Sequence, residues 1–485
     1  MAHTPLMDLV GAAAPRKMSR RAFLSVAAAG MVSAAVPASV ASARVVVVGA
    51  GLAGMAAAWT LKKSGLKVLV YEASGRSGGR VMSARNAVVE GLISELGASF
   101  INSTDAALLG LVREFRLSLD DFAKAGEKPV TYLIRGQRYS EAQVVAALRP
   151  VISRAQRDAS SLGDDVLAGA RGKAVALDWT PLSAYFDRIG LSGWLRDVLE
   201  TAYVCEYGSE LDEQSALNFL LQVGSPGAAD FDGLAMAGVD ERYIVRGGNQ
   251  RVPDELRKRL EQNLHFGHRL EAIRPRGDGW RLAFARDNGP LEVDADAVVL
   301  AVPFTTLRNV DMSRVKMPGV KRRLIAELGM GQGAKIICGY AKRAWPGHLL
   351  IREAPFQMAW DDSFLQPAPG GALTFFQGGL AALGAGSGAV KVQAARVSEG
   401  IAGAFPEVEP NGRAARMHWP THPFSRGSYS CYRPGQWTSF RGLEGKPIGT
   451  IYFAGEQCSV DSQGYMNGAV ETGQAAARAI IGTVW

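Results

Sequence analysis

Gly49-Ala50-Gly51-Leu52-Ala53-Gly54 sets three glycines in a G-x-G-x-x-G spacing, which suits a pyrophosphate. Gly49 allows a tight turn, Gly51 lets phosphate approach the backbone, and Gly54 lets a helix pack close to a strand. Glu72 stands where an acid can accept hydrogen bonds from the two hydroxyls of an adenosine ribose. Gly78-Gly79-Arg80 follows closely. Its glycines expose backbone N–H groups and Arg80 adds a permanent charge, a combination fit for phosphate oxygens or the edge of a flavin. A domain that binds only a nicotinamide dinucleotide has no need of this extra element. Lys335 lies inside the apolar run from Gly333 to Tyr340. Burying its charge there is costly without a partner, so a role in a site is one reading. A lysine snorkelling out at a strand end is the other.

The elements that must position these groups are legible around them. Val45 to Val48 form an apolar run suited to a strand buried on both faces. Helix formers run from Met55 to Lys63, Gly65 is placed to end that helix, and Lys67 to Tyr71 form a second strand. Residues 104–240 change character. Ala106, Leu108, Leu109, Leu111 and Val112, then Val144, Val145 and Leu148, recur at helical spacing, so a largely helical insertion is expected. Trp194, Tyr203, Tyr207 and Phe219 are read as core or as pocket wall. Glu206 among them is expected to be an exposed or salt-bridged acid, with a substrate ammonium as the sharper alternative. A helix is expected from Val252, a meander over Trp280–Phe284 and Leu291–Val293, and a buried strand over Ala295–Pro303. Leu307 to Leu328 reads as basic and helical. Leu373 to Phe376 reads as a strand, and Gly378 to Gly388 as a glycine- and alanine-rich loop.

Composition narrows the classes. A chain of 485 residues calls for two or three domains. The net charge is +8, of which +3 lies in residues 1–43, and the rest is too scattered to argue for nucleic acid. Cys205, Cys338, Cys431 and Cys458 show no C-x-x-C, and buried free thiols are expected. His265 with His268, and His418 with His422, lack a neighbouring acid or cysteine at ligand spacing, so no metal site is expected. Ser19-Arg20-Arg21-Ala22-Phe23-Leu24 before an uncharged, alanine-rich stretch reads as a twin-arginine export signal. Ala41-Ser42-Ala43 and Val36-Pro37-Ala38 are candidate cleavage sites. That route carries folded proteins, so a cofactor can be loaded before export to the periplasm or beyond. If it is not cleaved, the segment is an anchor.

With these residues in hand the chain resembles the flavin amine oxidase family of monoamine, polyamine and L-amino acid oxidases. The family's E-A-R-x-R-x-G-G-R run is matched by Glu72 to Arg80, with Ser74 in place of the first arginine. Ser94 to Ile101 matches an acid-L-G-A/G-x-aromatic element whose backbone, here Gly97 and Ala98, lies against the flavin. The resemblance implies that Leu270 is in a strand with backbone against the adenine. It implies that Lys335 holds a water at flavin N5. Gly427-Ser428-Tyr429-Ser430 matches a G-S-Y-S run, with Tyr429 as one tyrosine of an aromatic cage. Ser428 occupies the place of the cysteine that monoamine oxidases bond to the flavin, which implies noncovalent FAD. Ile451 to Glu456 and Gly464 to Gly473 match the last block. There Gly455 and Glu456 meet the ribityl or pyrophosphate, Tyr465 is the second cage tyrosine, and Met466 opens a helix whose amides face the flavin.

The implied fold is α/β. A Rossmann-type FAD-binding domain would come from residues 44–103, 241–306 and 421–485, and a mixed sheet-plus-helices substrate domain from 104–240 and 307–420. The implied reaction is hydride loss from a carbon bearing an amine to flavin N5, followed by imine hydrolysis, with oxygen reduced to hydrogen peroxide. An L-amino acid oxidase is an alternative, and it would need an arginine for the carboxylate; Arg352 and Arg433 are candidates. A dehydrogenase passing electrons to a carrier protein, or a flavin-binding protein without catalysis, are the others.

Overall fold

The computed structural model describes residues 43–125, 130–162, 166–223, 240–345, 349–352 and 355–483. The twin-arginine motif and both candidate cleavage sites lie outside them.

Arg44–Val48 is a strand because four valines favour a pleated surface covered on both sides, and all four are buried. It is central in a five-stranded parallel sheet of order Ile451–Phe453, Ala297–Leu300, Arg44–Val48, Lys67–Tyr71, Leu264–His265. The sheet therefore gathers strands from widely separated stretches of the chain. Helix Leu52–Lys63 leaves the first strand through the glycine motif, and Gly65, at φ +80°, follows its end. Against it packs the last helix, Met466–Thr483. Their backbones touch: a Cβ on Gly473 would stand 2.1 Å from the Ala53 carbonyl oxygen.

A three-stranded antiparallel sheet, Arg269–Arg276, Gly279–Ala285 and Leu291–Ala295, flanks this unit. A second, seven-stranded sheet runs in the order Pro410–His418, Gly333–Tyr340, Gly371–Gly378, Met358–Asp361, Leu349–Arg352, Val130–Ile134, Gln137–Ser140. Gly333–Tyr340 and Gly371–Gly378 are buried along their whole length. Their period-2 pattern is invisible because both faces are covered.

Three expectations are corrected here. The described residues of 104–240 are mostly helical, as expected, but contribute the hairpin Val130–Ile134 and Gln137–Ser140 to the large sheet. Arg135 and Gly136, at φ +52° and +74°, form its two-residue turn. Gly378 to Gly388 is not a loop: Gly379–Ala385 is a helix, as its leucines and alanines favour. Leu307 to Leu328 is not continuous, since helix Phe304–Leu307 ends at its start and the next helix begins only after Pro318, at Gly319. Tyr203 and Phe219 are fully buried core, and Trp194 stacks on Tyr139 at 4.2 Å. The four cysteines are free and buried. Among the described residues no helix is long and apolar enough to cross a membrane.

Candidate active site

The two glycine-rich turns meet face to face. Gly78 N–H donates to the Ala50 carbonyl at 2.8 Å, and a Cβ on Gly79 would stand 3.2 Å from the Gly51 Cα. Gly49 has φ +102°, and a Cβ there would meet the Ala301 carbonyl oxygen at 2.6 Å. Gly51 caps helix Leu52–Lys63 with no side chain, which leaves the helix's first N–H groups to an incoming anion. Glu72 is buried at the end of the second strand, where its carboxylate accepts from Ala50 N–H and Ser74 N–H, each at 2.7 Å. Its position at the strand's carboxyl end is that of a ribose acceptor. Gly54 alone of the expected cofactor residues does not line the cavity. Its hydrogen faces the Gly49 carbonyl, where a Cβ would stand at 1.9 Å, so its work is packing.

Arg80 reaches across to the C-terminal part of the chain. Its Nη1 donates to the Ser428 carbonyl and to Glu456 Oε1, both at 2.7 Å. Glu456 also accepts from Ser430 N–H at 3.1 Å, Ser430 Oγ at 2.7 Å and Gly464 N–H at 2.9 Å. Glu456 thus ties the arginine turn to the two segments that carry Tyr429 and Tyr465.

Lys335 lies in the buried strand Gly333–Tyr340 and does not snorkel. Its Nζ donates to the backbone carbonyls of Glu95 at 3.0 Å and Gly97 at 2.6 Å and to Ser99 Oγ at 2.6 Å, and it lies 5.1 Å from the centre of the Trp360 ring. Two acids, the buried Glu95 and the half-buried Asp362, act on it electrostatically. Burial pushes the Lys335 ammonium down and the Glu95 carboxyl up, and each opposes the other's shift. Burial raises Asp362 to about 6. Sequence reading missed Asp362, the second of two adjacent aspartates that carry no recognisable motif. Glu95 and Ser99 lay inside a quoted motif but were assigned no role.

Tyr429 is buried, and its hydroxyl donates to the Cys205 carbonyl at 3.3 Å. Gly427 before it has φ +142°, and a Cβ there would overlap Met330. Tyr465 closes the loop before helix Met466–Thr483, with its N–H on the Ser462 carbonyl at 3.2 Å. Burial, then the charge of Glu206, holds both phenols well above the usual tyrosine range. Glu206 is a correction. It is 1 % exposed, near the C-terminal end of helix Gly193–Tyr207, not a surface acid. All of that helix's last turns are covered, so no polar face exists for it to occupy.

One cavity of about 710 Å³ touches the whole set: Gly49, Gly51, Glu72, Arg80, Gly97, Ala98, Leu270, Lys335, Tyr429, Gly455, Glu456, Tyr465 and Met466. Ser99, Phe376, Trp419 and Ser428 also line it; Arg352 and Arg433 do not. The cradle fits a flavin dinucleotide. It offers glycine backbone and a helix N-terminus for phosphate, a buried acid for ribose, and a lysine with two tyrosines at another part of the wall.

Comparison with known proteins gives the family and the fold. The family model for flavin containing amine oxidoreductases matches residues 52–481. The chain belongs to that family. Amine oxidase [flavin-containing] B of Sus scrofa is 28% identical over 466 residues, covering 90% of this chain and 86% of the relative. A putative flavin-containing monoamine oxidase, AofH, of Mycobacterium tuberculosis is 27% identical over 451 residues, covering 89% and 95%. The fold is shared with putrescine oxidase solved with putrescine (TM-score 0.76, 21% identity, 91% of this chain and 99% of that one). It is shared too with cyclohexylamine oxidase of Brevibacterium oxydans (TM-score 0.77, 22% identity, 90% and 98%). The protein is a flavin-dependent amine oxidase, and its cofactor is FAD.

Proposed function

We propose that the enzyme oxidises a simple amine held between Tyr429 and Tyr465, with oxygen as electron acceptor and FAD bound noncovalently. The observation that carries this reading is the convergence of Lys335, Tyr429 and Tyr465 on the cavity that holds the nucleotide-binding residues. FAD, when bound, supplies the two-electron acceptor. The carbon–nitrogen single bond of the amine becomes an imine. Water then adds, giving an aldehyde or ketone and releasing ammonia or an amine. Oxygen takes the two electrons with two protons to give hydrogen peroxide.

The chain's own groups prepare the amine. A protonated nitrogen has no lone pair to push electrons from, so the amine must be neutral when it reacts. Protonated phenols, buried at Tyr429 and half-buried at Tyr465, and apolar walls disfavour the ammonium there. The Cys205 carbonyl fixes the Tyr429 hydroxyl, which keeps that wall of the cage in place. Amino acids are disfavoured on one count: the Glu206 charge acts at both tyrosines, where it would repel a carboxylate. Neither Arg352 nor Arg433 lines the cavity, though Arg76, Arg80, Arg269 and Arg426 do. Ser428 lines the cavity where a cysteine would be needed for a thioether, which supports noncovalent FAD.

The test is anaerobic mixing of the yellow protein with a panel of amines and amino acids, then admission of air. Bleaching by amines and rapid recolouring with peroxide is the expected result. Slow recolouring transfers the reading to a dehydrogenase with a carrier protein; bleaching by amino acids alone overturns it. Acid precipitation should leave the flavin in the supernatant. We also propose export in folded form through the twin-arginine route, for which Arg20 and Arg21 are the support. Replacing both by lysine should retain the holoenzyme in the cytoplasm; unchanged distribution would refute export by that route.

A further inference from the structure

A lysine ammonium has three N–H donors and no acceptor. In this structure the three donors of Lys335 are matched by three protein acceptors: the carbonyls of Glu95 and Gly97 and the Oγ of Ser99. That satisfies the lysine from within. What it hands on is a polarised hydroxyl. Ser99 Oγ accepts from the ammonium, so its own proton must point elsewhere, and among the described residues no acceptor takes it. Ser99 lines the cavity together with Gly97, Ala98 and Lys335. Its backbone is pinned: Asn249 Nδ2 donates to the Ser99 carbonyl at 2.7 Å and to the Ala98 carbonyl at 3.1 Å. Asn249 itself is held by its N–H on Glu95 Oε1 at 2.8 Å and by Val245 N–H on its Oδ1 at 3.0 Å. A donor polarised by a cation and fixed by second-tier contacts is stronger than a free serine.

We infer that the Ser99 hydroxyl is the hydrogen-bond donor presented to the flavin ring, and that Lys335 is a positioning residue acting through it. This rests on the flavin-site reading above. A donor at the ring favours the electron-rich reduced flavin over the oxidised one. Ser99 should therefore set the flavin's potential as well as its rate of reduction.

The experiment compares Ser99→Ala, Ser99→Thr and Lys335→Met holoenzymes. The flavin midpoint potential is measured by dye-coupled titration, which needs no amine, and the reduction rate by anaerobic mixing with the best amine. Ser99→Ala is expected to keep full FAD content, shift the midpoint to more negative values, and slow reduction by roughly tenfold or more, the worth of one charge-assisted hydrogen bond. Ser99→Thr should restore both to near the parent, and Lys335→Met should match or exceed the loss. A parent-like potential and rate in Ser99→Ala, with both lost in Lys335→Met, would overturn the inference, because Lys335 would then reach the ring without Ser99. If alanine impairs FAD retention, the threonine variant decides: parent-like values support the hydroxyl, and a loss of both with FAD bound refutes it. Failure of every amine to bleach the parent would count against the amine reading and leave the potential measurement intact.

Discussion

The carboxylate of Glu206 is felt at Tyr429, Tyr465, Tyr207 and Cys205, and at each it raises the group's resistance to ionisation. A carboxylate beside the cage attracts an amine in its cationic, arriving form and opposes the loss of its proton, so it acts on binding rather than on the chemical step, while the phenols remain donors. Glu206→Gln keeps the shape and removes the charge. Its KM for amines is expected to rise by about tenfold, close to 1.4 kcal/mol, with a smaller change in kcat. Steady-state kinetics across pH 6 to about 9 would check the split, and an unchanged KM would refute the electrostatic role. Tyr465→Ala removes a cage wall outright. It is expected to keep FAD and lose about two orders of magnitude in kcat, the scale of one positioned transition-state contact. Parent-like turnover with FAD bound would sink the cage assignment. At this scale the glycines, Glu72 and Arg80 were legible, because short motifs fix their chemistry locally, whereas the tyrosines were reached only through the family resemblance. Asp362 and Glu206 were not. Their meaning depends on what covers them, and in Glu206's case a helix end closed on all sides buries an acid expected at the surface.

The contact between helices Leu52–Lys63 and Met466–Thr483 is where the two ends of the cofactor cradle are set against each other. Gly473 permits it, since any Cβ would press on the Ala53 carbonyl. Gly473→Ala gains about 1 kcal/mol of helix propensity but must separate the backbones, an overpacking cost of about 1–3 kcal/mol or more. The helix carries Met466 at its cavity end, so the shift reaches the flavin site. The variant is expected to melt lower and to bind FAD more weakly, read by thermal unfolding and by flavin fluorescence on dilution; stability above the parent would contradict the close-packing argument. The glycine was visible in the sequence, its partner was not. The hairpin Val130–Ile134 and Gln137–Ser140 shows the same limit. Its β-branched and aromatic residues favour a strand, yet the helical spacing on either side masked it, and only the sheet it joins decides the matter.

Across the whole molecule the joints matter most, because the cavity wall draws residues from both ends and the middle of the chain. One joint is Lys321, in helix Gly319–Glu327. Its Nζ donates to the Leu443 carbonyl at 3.0 Å and to the Glu444 carbonyl, and it sits 3.8 Å from the centre of the Phe453 ring. It is 4 % exposed, and burial lowers its pKa to about 8. The unfolded chain returns it to about 10.4, so between these values the native state binds fewer protons than the unfolded one. Its contribution to stability is therefore greatest above pH 10 or so and is lost as pH falls through about 8. The span is worth roughly 3 kcal/mol. Lys321→Met removes the titration and leaves two carbonyls without their donor. The difference in urea midpoint between parent and variant, both with FAD, is expected to widen in the parent's favour as pH rises from about 7.5 to 10.5. A constant difference across that range would mean that Lys321 keeps its ordinary pKa. The buried clamp between helix Gly319–Glu327 and the Leu443–Glu444 turn would then hold by packing alone.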